Sequence, residues 1–314
     1  MKIYTKKQIA DCIDIPLILE ELEKGLILYS EKRAEIAPVG FMHFKNPPGD
    51  VHVKSGYVPG EDLYVIKIAS GFYDNHKLGL PSSNGVNLLF SQKTGELVAL
   101  LQDEGLLTDL RTSLAGAICA KYLAPKHTRR IGIIGTGTQA KQQLLHLQFV
   151  TSCRDVVVWG RNPSKAAAFA QDPALSSFKI HCANNIEEIT QTCNLIVTAT
   201  NSNHPLLFGH QIKPGTHITA VGADDLGKQE LDSSVFDMAD LIVADSLSQC
   251  LEYGDIAKAK NLENKKLVEL GALLKTPLVR QNNWITVADL TGIAIEDLQI
   301  AKAIFSKLQR REKS

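Results

Sequence analysis

One stretch constrains this chain more than any other: Arg130-Ile-Gly-Ile-Ile-Gly135-Thr-Gly137-Thr-Gln-Ala140. A short apolar run leads into G-x-G-x-x-A, and a helix-compatible segment, Lys141 to Val150, follows at once. Strand, glycine turn, helix is the order in which this pattern signifies dinucleotide binding. Gly135 permits the tight turn, Gly137 lets backbone approach a pyrophosphate, and Ala140 is small enough for the helix to pack on the strand. The pyrophosphate then meets the unpaired N–H groups and positive dipole end of the helix. Gly135, Thr136, Gly137, Thr138 and Gln139 are the candidate cofactor contacts of this turn. The alternative is a glycine turn that only packs.

The sequence has two textures around this motif. Residues 1 to about 122 mix signals: helical spacing over Ile15–Tyr29, alternation over Asp50–Tyr57 and Leu63–Ala69, and a hairpin-turn signature, Lys93-Thr-Gly95, between Val86–Phe90 and Leu97–Leu101. Thr108–Leu123 reads as one long helix stopped near Pro125. From residue 130 apolar runs recur at Ile131–Ile134, Val156–Trp159, Leu195–Thr198, Ile218–Val221, Leu241–Ala244 and Ile285–Ala288, most of them separated by helix-compatible segments. That alternation predicts an α/β fold with a Rossmann-type, doubly wound parallel sheet, helices on both faces. Ala294–Leu308 reads as a closing helix that returns to the first domain. The expected division is 1–122 with 294–314, and 123–293 for the NAD(P)-binding domain.

Composition excludes several classes. The 314 residues carry equal numbers of basic and acidic side chains, 34 each, so neither nucleic acid nor an anionic membrane is an expected partner. The six cysteines show no C-x-x-C spacing, which argues for a reducing compartment and against disulfides or a structural metal. No segment has the length of a membrane span, and the first residues lack the apolar stretch of a signal peptide. The expectation is a cytoplasmic protein.

The end of the second strand bears on the choice of dinucleotide. Trp159-Gly160-Arg161-Asn162-Pro-Ser164-Lys165 holds no carboxylate where an NAD-type site places one for the ribose 2′-OH. Arg161 with Ser164 suits a 2′-phosphate, so NADP(H) is favoured, with NAD(H) as the alternative. Thr198 and Thr200, at and just beyond the Leu195–Thr198 strand, are further cofactor candidates. Two adjacent carboxylates, Asp224 and Asp225, follow the Ile218–Val221 strand, where a carboxylate can manage a proton on a reacting nitrogen. A turn with capping aspartates explains them equally well.

The whole chain resembles the ornithine cyclodeaminase/mu-crystallin family. The likeness shows in Val65-Ile-Lys67-Ile-Ala-Ser, Gly79-Leu-Pro-Ser-Ser-Asn84-Gly, Leu107-Thr-Asp-Leu-Arg111-Thr, Gly135-Thr-Gly137, Ala220-Val-Gly-Ala-Asp224-Asp-Leu-Gly-Lys-Gln-Glu-Leu and Ala288-Asp-Leu-Thr291-Gly292. The resemblance implies a Rossmann domain joined to an α/β domain that binds substrate and forms a homodimer. It implies Lys67 beside the substrate's carboxylate and nitrogen, Arg111 as a carboxylate clamp and Asp224 as the acid/base. Thr291 and Gly292 would flank the nicotinamide, and Ser82 and Asn84 would lie near substrate or cofactor. Physical chemistry agrees: Arg111 can grip both oxygens of a carboxylate, which fixes orientation while a hydride crosses to or from Cα. Taken without the resemblance, Arg111 could instead pair within its helix and Lys67 could face solvent.

One departure stands out. In Ala37-Pro38-Val39-Gly40-Phe41, Val39 stands where ornithine-specific relatives carry a second arginine. Nearby, His52 and Lys54 sit two apart on a strand and share a face. Facing a pocket, they would disfavour a distal ammonium and favour a second anionic or neutral polar group; on a strand edge they would be solvated charges. With Ser-Gly-Phe-Tyr-Asp-Asn, these stretches resemble the branch containing cyclodeaminase-like proteins of ectoine utilisation and imino-dicarboxylate reductases. The expected activity is nicotinamide-dependent hydride transfer at the α carbon of a small amino or imino acid, as an imine reductase or amino-acid dehydrogenase. The alternatives are a cyclodeaminase, a lyase with no net redox change, and a non-catalytic NADPH-dependent binding protein of mu-crystallin type.

Overall fold

The computed structural model describes residues 1–313. The chain divides into two compact units, Met1–Arg111 with Ile293–Ser314, and Thr112–Gly292. The division falls inside the helix Leu106–Leu123 rather than at its end, where the change of texture suggested a boundary.

The first unit opens with β1 (Lys2–Thr5), α1 (Lys6–Ala10) and α2 (Ile15–Ser30). Asp14 accepts a hydrogen bond from Leu17 N at the start of α2, and Pro16 fits its first turn, so capping and a preset φ both fix that helix start. Strands β2 (Glu35–Ile36), β3 (Gly40–Lys45), β4 (Pro48–Tyr57), β5 (Leu63–Phe72), β6 (Ser83–Ser91) and β7 (Leu97–Gln102) follow, then α3 (Leu106–Leu123). The sheet order is β1-β7-β6-β5-β4-β2, with β3 also on β4. Only β1 and β7 run parallel. The β6–β7 turn has Gly95 at φ 73°, the left-handed geometry that the Lys93-Thr-Gly95 signature requires. β1 was not anticipated, because four residues between polar neighbours give too short a pattern to read.

The second unit holds β8 (Ile131–Ile134), α4 (Thr138–Leu147), β9 (Asp155–Trp159), α5 (Pro163–Ala170), β10 (Lys179–Cys182), α6 (Ile186–Thr192), β11 (Leu195–Thr198), β12 (Asn203–Leu207), β13 (His217–Ala220), β14 (Gln229–Leu231), α7 (Ser233–Met238), β15 (Leu241–Ala244), α8 (Leu247–Tyr253), β16 (Leu267–Glu269), α9 (Leu270–Lys275) and β17 (Thr286–Asp289). Eight strands form one sheet in the order β10-β9-β8-β11-β13-β17-β15-β16. Every pair in it is parallel. β8, β11, β13, β15 and β17 are buried along their whole length, as strands covered on both faces must be. Two apolar clusters line the sheet, one around Ile196, Ile218 and Val287, the other around Ile133, Leu144 and Val158. The order reverses between β8 and β11, the switch point where such sheets bind ligands beyond their carboxyl ends.

The closing helix α10 (Ala294–Lys313) belongs to the first unit, where it packs on α2 and crosses β4 and β5. Among the described residues no helix is long and apolar enough to cross a membrane.

Candidate functional site

In the first unit, strand alternation gathers polar groups on the inward face of the sheet. Lys54 pairs with Lys67, and Lys67 with Asn87, so the three stand in one row across β4, β5 and β6. All three are buried, as is His52 one pleat away on β4. Lys67 is only 1% exposed and ranks among the largest fully buried side chains. His52 and Lys54 are therefore inward groups on a strand flanked on both sides, not solvated charges at an edge. The ring of Phe41 meets His52 edge-on, with centroids 4.9 Å apart.

The focus of this cluster is Asp297, a residue that no sequence motif singles out. It lies in the first turn of α10, 1% exposed. Lys67 Nζ lies 3.4 Å from its Oδ2, and Arg111 Nε donates to its Oδ1 at 3.1 Å. Arg111 Nη1 donates to Glu296 Oε2 at 3.1 Å. Burial pushes the Asp297 carboxyl up, but Lys67, Arg111 and Lys54 together outweigh that and hold its pKa below the usual value. Arg111 is thus ion-paired, though to the closing helix and not within its own. Behind Lys67, Asp103 accepts from Leu107 N at 2.8 Å, capping α3, and from Asn87 Nδ2 at 3.3 Å. Burial raises its pKa to about 6. Ser82 and Asn84 do not join this cluster. Both are exposed, and Asn84 turns its Oδ1 to Gly85 N. Alternation places Asn84 on the face of Val86 and Leu88, opposite that of Asn87.

In the second unit, β8 ends in the glycine turn. Gly135 has φ 125°, and a Cβ there would meet the Ala199 carbonyl oxygen at 2.4 Å. Only glycine suits that position. A Cβ at Gly137 would meet nothing within 4 Å, and Gly137 is the N-cap of α4 with no side-chain capping bond. The first N–H groups of α4 thus start beside open backbone, the donor arrangement a pyrophosphate needs. Thr136 and Gln139 are half-buried and Thr138 exposed at this turn. Arg161 and Ser164 are exposed beyond β9, while Asn162 caps α5 by accepting from Ser164 N and Lys165 N. The residues at these positions fit a dinucleotide.

Beyond the other strands, a chain of buried carboxylates ties the loops together. Thr198 and Thr200 turn their hydroxyls to Glu230, each at 2.7 Å, and so face inward. Thr291 Oγ1 and Gly292 N both donate to Asp245, at 3.2 and 2.5 Å. Asp255 accepts from the backbone N–H of Glu230 and Leu231. Burial first, then neighbouring Asp255, raises Glu230 to about 7, and burial raises Asp255 to about 6. Asp289 is raised well above the ordinary value by burial and by Asp255 and Asp245. Asp224 is partly exposed and pairs with Lys228 Nζ at 2.7 Å; no helix follows it, so neither aspartate of the pair caps one. His204 and His210 are exposed, and Trp284 is half-buried with Lys266 over its ring.

One α/β unit thus carries a buried cation cluster, and the other a parallel sheet whose glycine turn fits a dinucleotide phosphate. The signature of the ornithine cyclodeaminase/mu-crystallin family matches residues 2–312, and the chain belongs to that family. It is 34% identical to an uncharacterized cyclodeaminase of Sinorhizobium fredii, over 99% of this chain and 97% of the other. The structure of Δ1-pyrroline-2-carboxylate reductase from Thermococcus litoralis, in complex with NADH and L-proline, matches with TM-score 0.91 at 26% identity, covering 99% of this chain and 98% of that one. The iminosuccinate reductase of Paracoccus denitrificans, in complex with NAD+, matches with TM-score 0.86 at 27% identity, covering 99% and 97%.

Proposed function

We propose that this protein is an enzyme transferring hydride at the α carbon of a small amino or imino acid, working as an imine reductase or amino-acid dehydrogenase. The observation that carries this reading is the convergence of Lys54, Lys67 and Arg111 on one buried carboxylate, Asp297. Cations held in fixed positions by a buried acid are preorganised for a substrate carboxylate, because little rearrangement is needed to bind it. Arg111 and Lys67 orient that carboxylate and with it the α carbon. Asp224 delivers a proton to the imine nitrogen as the carbon is reduced, or removes one in reverse. The bound nicotinamide supplies or accepts the hydride. His52 and Lys54, buried on the same sheet face, favour a substrate with a second anionic group, and the likeness to an iminosuccinate reductase supports that. Arg161, with no carboxylate beside it, favours NADP(H).

The test is to supply NADPH or NADH with pyrroline-2-carboxylate, piperideine-2-carboxylate, or oxaloacetate plus ammonia, and follow loss of the reduced nicotinamide. Turnover fastest with the dicarboxylate supports the full reading; binding without turnover on every imine overturns it. The likeness to a cyclodeaminase supports a second reading, checked in the same assay by L-ornithine giving proline and ammonia with no net change in nicotinamide. Asp224→Asn should lower turnover at least about a hundredfold while the dinucleotide still binds. Unchanged turnover would remove the acid/base assignment.

The outward face of the first unit's sheet supports assembly as a homodimer. Ile3, Met42, Phe44 and Ile68 are 55%, 51%, 43% and 36% exposed. By register and alternation they lie on the face away from Lys67, with Val86 and Leu88 beside them. A continuous apolar surface of this kind is uncommon on a monomer. Ile68→Glu should convert the dimer to monomer in sedimentation analysis; a monomeric parent protein would contradict the assignment.

A further inference from the structure

The geometry points to Glu230 as the positioning residue for the dinucleotide: one buried carboxylate bridges the loops after β11 and β13 and sets their spacing. This inference rests on the reading that a dinucleotide lies at the carboxyl ends of those strands. Glu230 is fully buried on β14, yet both its oxygens are occupied from other segments. Oε1 accepts from Thr200 N at 2.6 Å and Thr200 Oγ1 at 2.7 Å. Oε2 accepts from Thr198 Oγ1 at 2.7 Å and Gly222 N at 2.8 Å. Four donors, from the end of β11 and from the loops after β11 and β13, therefore meet on one side chain. The contact is close as well as bonded: a Cβ on Gly222 would come within 2.6 Å of Glu230 Oε1.

The four donors favour the ionised form, against burial and the charge of Asp255. Hydroxyls can rotate to accept, but a backbone N–H cannot, and each oxygen of Glu230 faces one. A protonated carboxyl places its O–H against one of those N–H groups, and a glutamine places its amide there in either orientation. Either change releases one loop. Glu230 itself is held from behind: Asp255 Oδ1 accepts from its N–H at 2.8 Å and from Leu231 N at 2.9 Å. The charged groups around it are Asp255, then Lys258, Asp289 and Asp245 beyond. Burial and the Asp255 charge raise Glu230 to about 7, which puts loss of the bridge within the neutral range.

The experiment is NADH titration of the full-length protein from pH 6 to 8.5, NADH being chosen because it has no titrating 2′-phosphate. The parent should bind more weakly as pH falls through about 7. Glu230→Gln should bind about tenfold more weakly at pH 8 and lose that pH dependence. Glu230→Asp should fall between, its shorter chain reaching one loop. Asp255→Asn keeps the acceptor for both N–H groups and removes the neighbouring charge. It should move the pH midpoint down by about one unit, a shift that a merely structural role would not produce. A folded Glu230→Gln protein that matches the parent within twofold at every pH overturns the inference. Should Glu230→Gln fail to fold, an unmoved midpoint in Asp255→Asn overturns it instead. A parent that binds no NADH or NADPH overturns the dinucleotide reading itself, and this inference with it.

Discussion

The two units bury charge by opposite means. In the first, three cations surround Asp297, so each ion is compensated and the acid is held below its usual pKa. In the second, Glu230, Asp255, Asp289 and Asp245 lie in sequence with little cationic relief, Lys258 beside Asp255 being the exception. There, the pKa values of Glu230, Asp255 and Asp289 are pushed up, and their ionised forms are disfavoured. The lesson is that burial alone does not set the state of a carboxyl group; the sign of its neighbours does. The first cluster is built of fixed charge, suited to holding a charged molecule. The second is built of hydrogen bonds to backbone N–H groups, suited to holding loops.

The harshest way to test this contrast is Asp297→Asn. Removing the one carboxylate shared by Lys67 and Arg111 leaves buried cations without their counter-ion. A substitution of this kind should cost about 3–5 kcal/mol of unfolding free energy. Urea denaturation at neutral pH measures it. A loss under about 1 kcal/mol would mean that the cluster is solvated and that fixed charge does not describe it.

Proton linkage gives the next effect. Glu230, with folded pKa about 7 against an ordinary 4.5, stabilises the fold when protonated. That contribution is complete below the unfolded pKa and is lost as pH rises through about 7. Asp289, raised further, acts in the same direction. As pH falls towards the ordinary histidine value the buried histidines oppose them: His217, lowered to about 3 by burial, and His146, also lowered by burial, bind protons more weakly in the fold than when unfolded. Asp297 titrates below the usual carboxylate range and is silent here. Between pH 7 and 8.5 the carboxylates outweigh the histidines, and stability should fall by about 1 kcal/mol. Urea midpoints across that interval that stay flat or rise would show that the second cluster is not protonated in the way described.

How much of this was legible in the sequence follows the same division. The switch-point turn and the strands Ile131–Ile134, Leu195–Thr198 and Leu241–Ala244 could be read to the residue, because buried parallel strands are short apolar runs between turns. β10 and β16 were not, since Lys179–Cys182 and Leu267–Glu269 flank the sheet's edges and carry polar residues. Lys54, Lys67 and Arg111 could be named, and period-two alternation correctly put His52 and Lys54 on one face. Asp297 could not: an acid in the first turn of a helix has a sufficient local explanation in the helix dipole. Glu230 and Asp255 were hidden for a related reason. Their partners are backbone N–H groups at sequence separations of 30 and 25, which leave no pattern in side-chain identity.

Asp289→Asn is the mildest change and the sharpest contrast with Asp297→Asn. The same aspartate-to-asparagine exchange is made at two fully buried positions of one chain. Asp289 Oδ2 accepts from Ile256 N at 2.8 Å, and its Oδ1 has no hydrogen-bond partner. Burial and the charges of Asp255 and Asp245 raise its pKa well above the ordinary value, so the surroundings disfavour its ionised form. Asparagine keeps the acceptor for Ile256 and removes the charge that Asp255 and Asp245 oppose. The expected change in unfolding free energy is within about 0.5 kcal/mol at pH 7 and more favourable at pH 9, because rising pH promotes the ionisation that burial and the neighbouring acids oppose. Urea midpoints at the two pH values measure both. A loss of several kcal/mol at pH 7 would show that Asp289 is ionised in the fold, and the contrast between the two clusters would no longer hold.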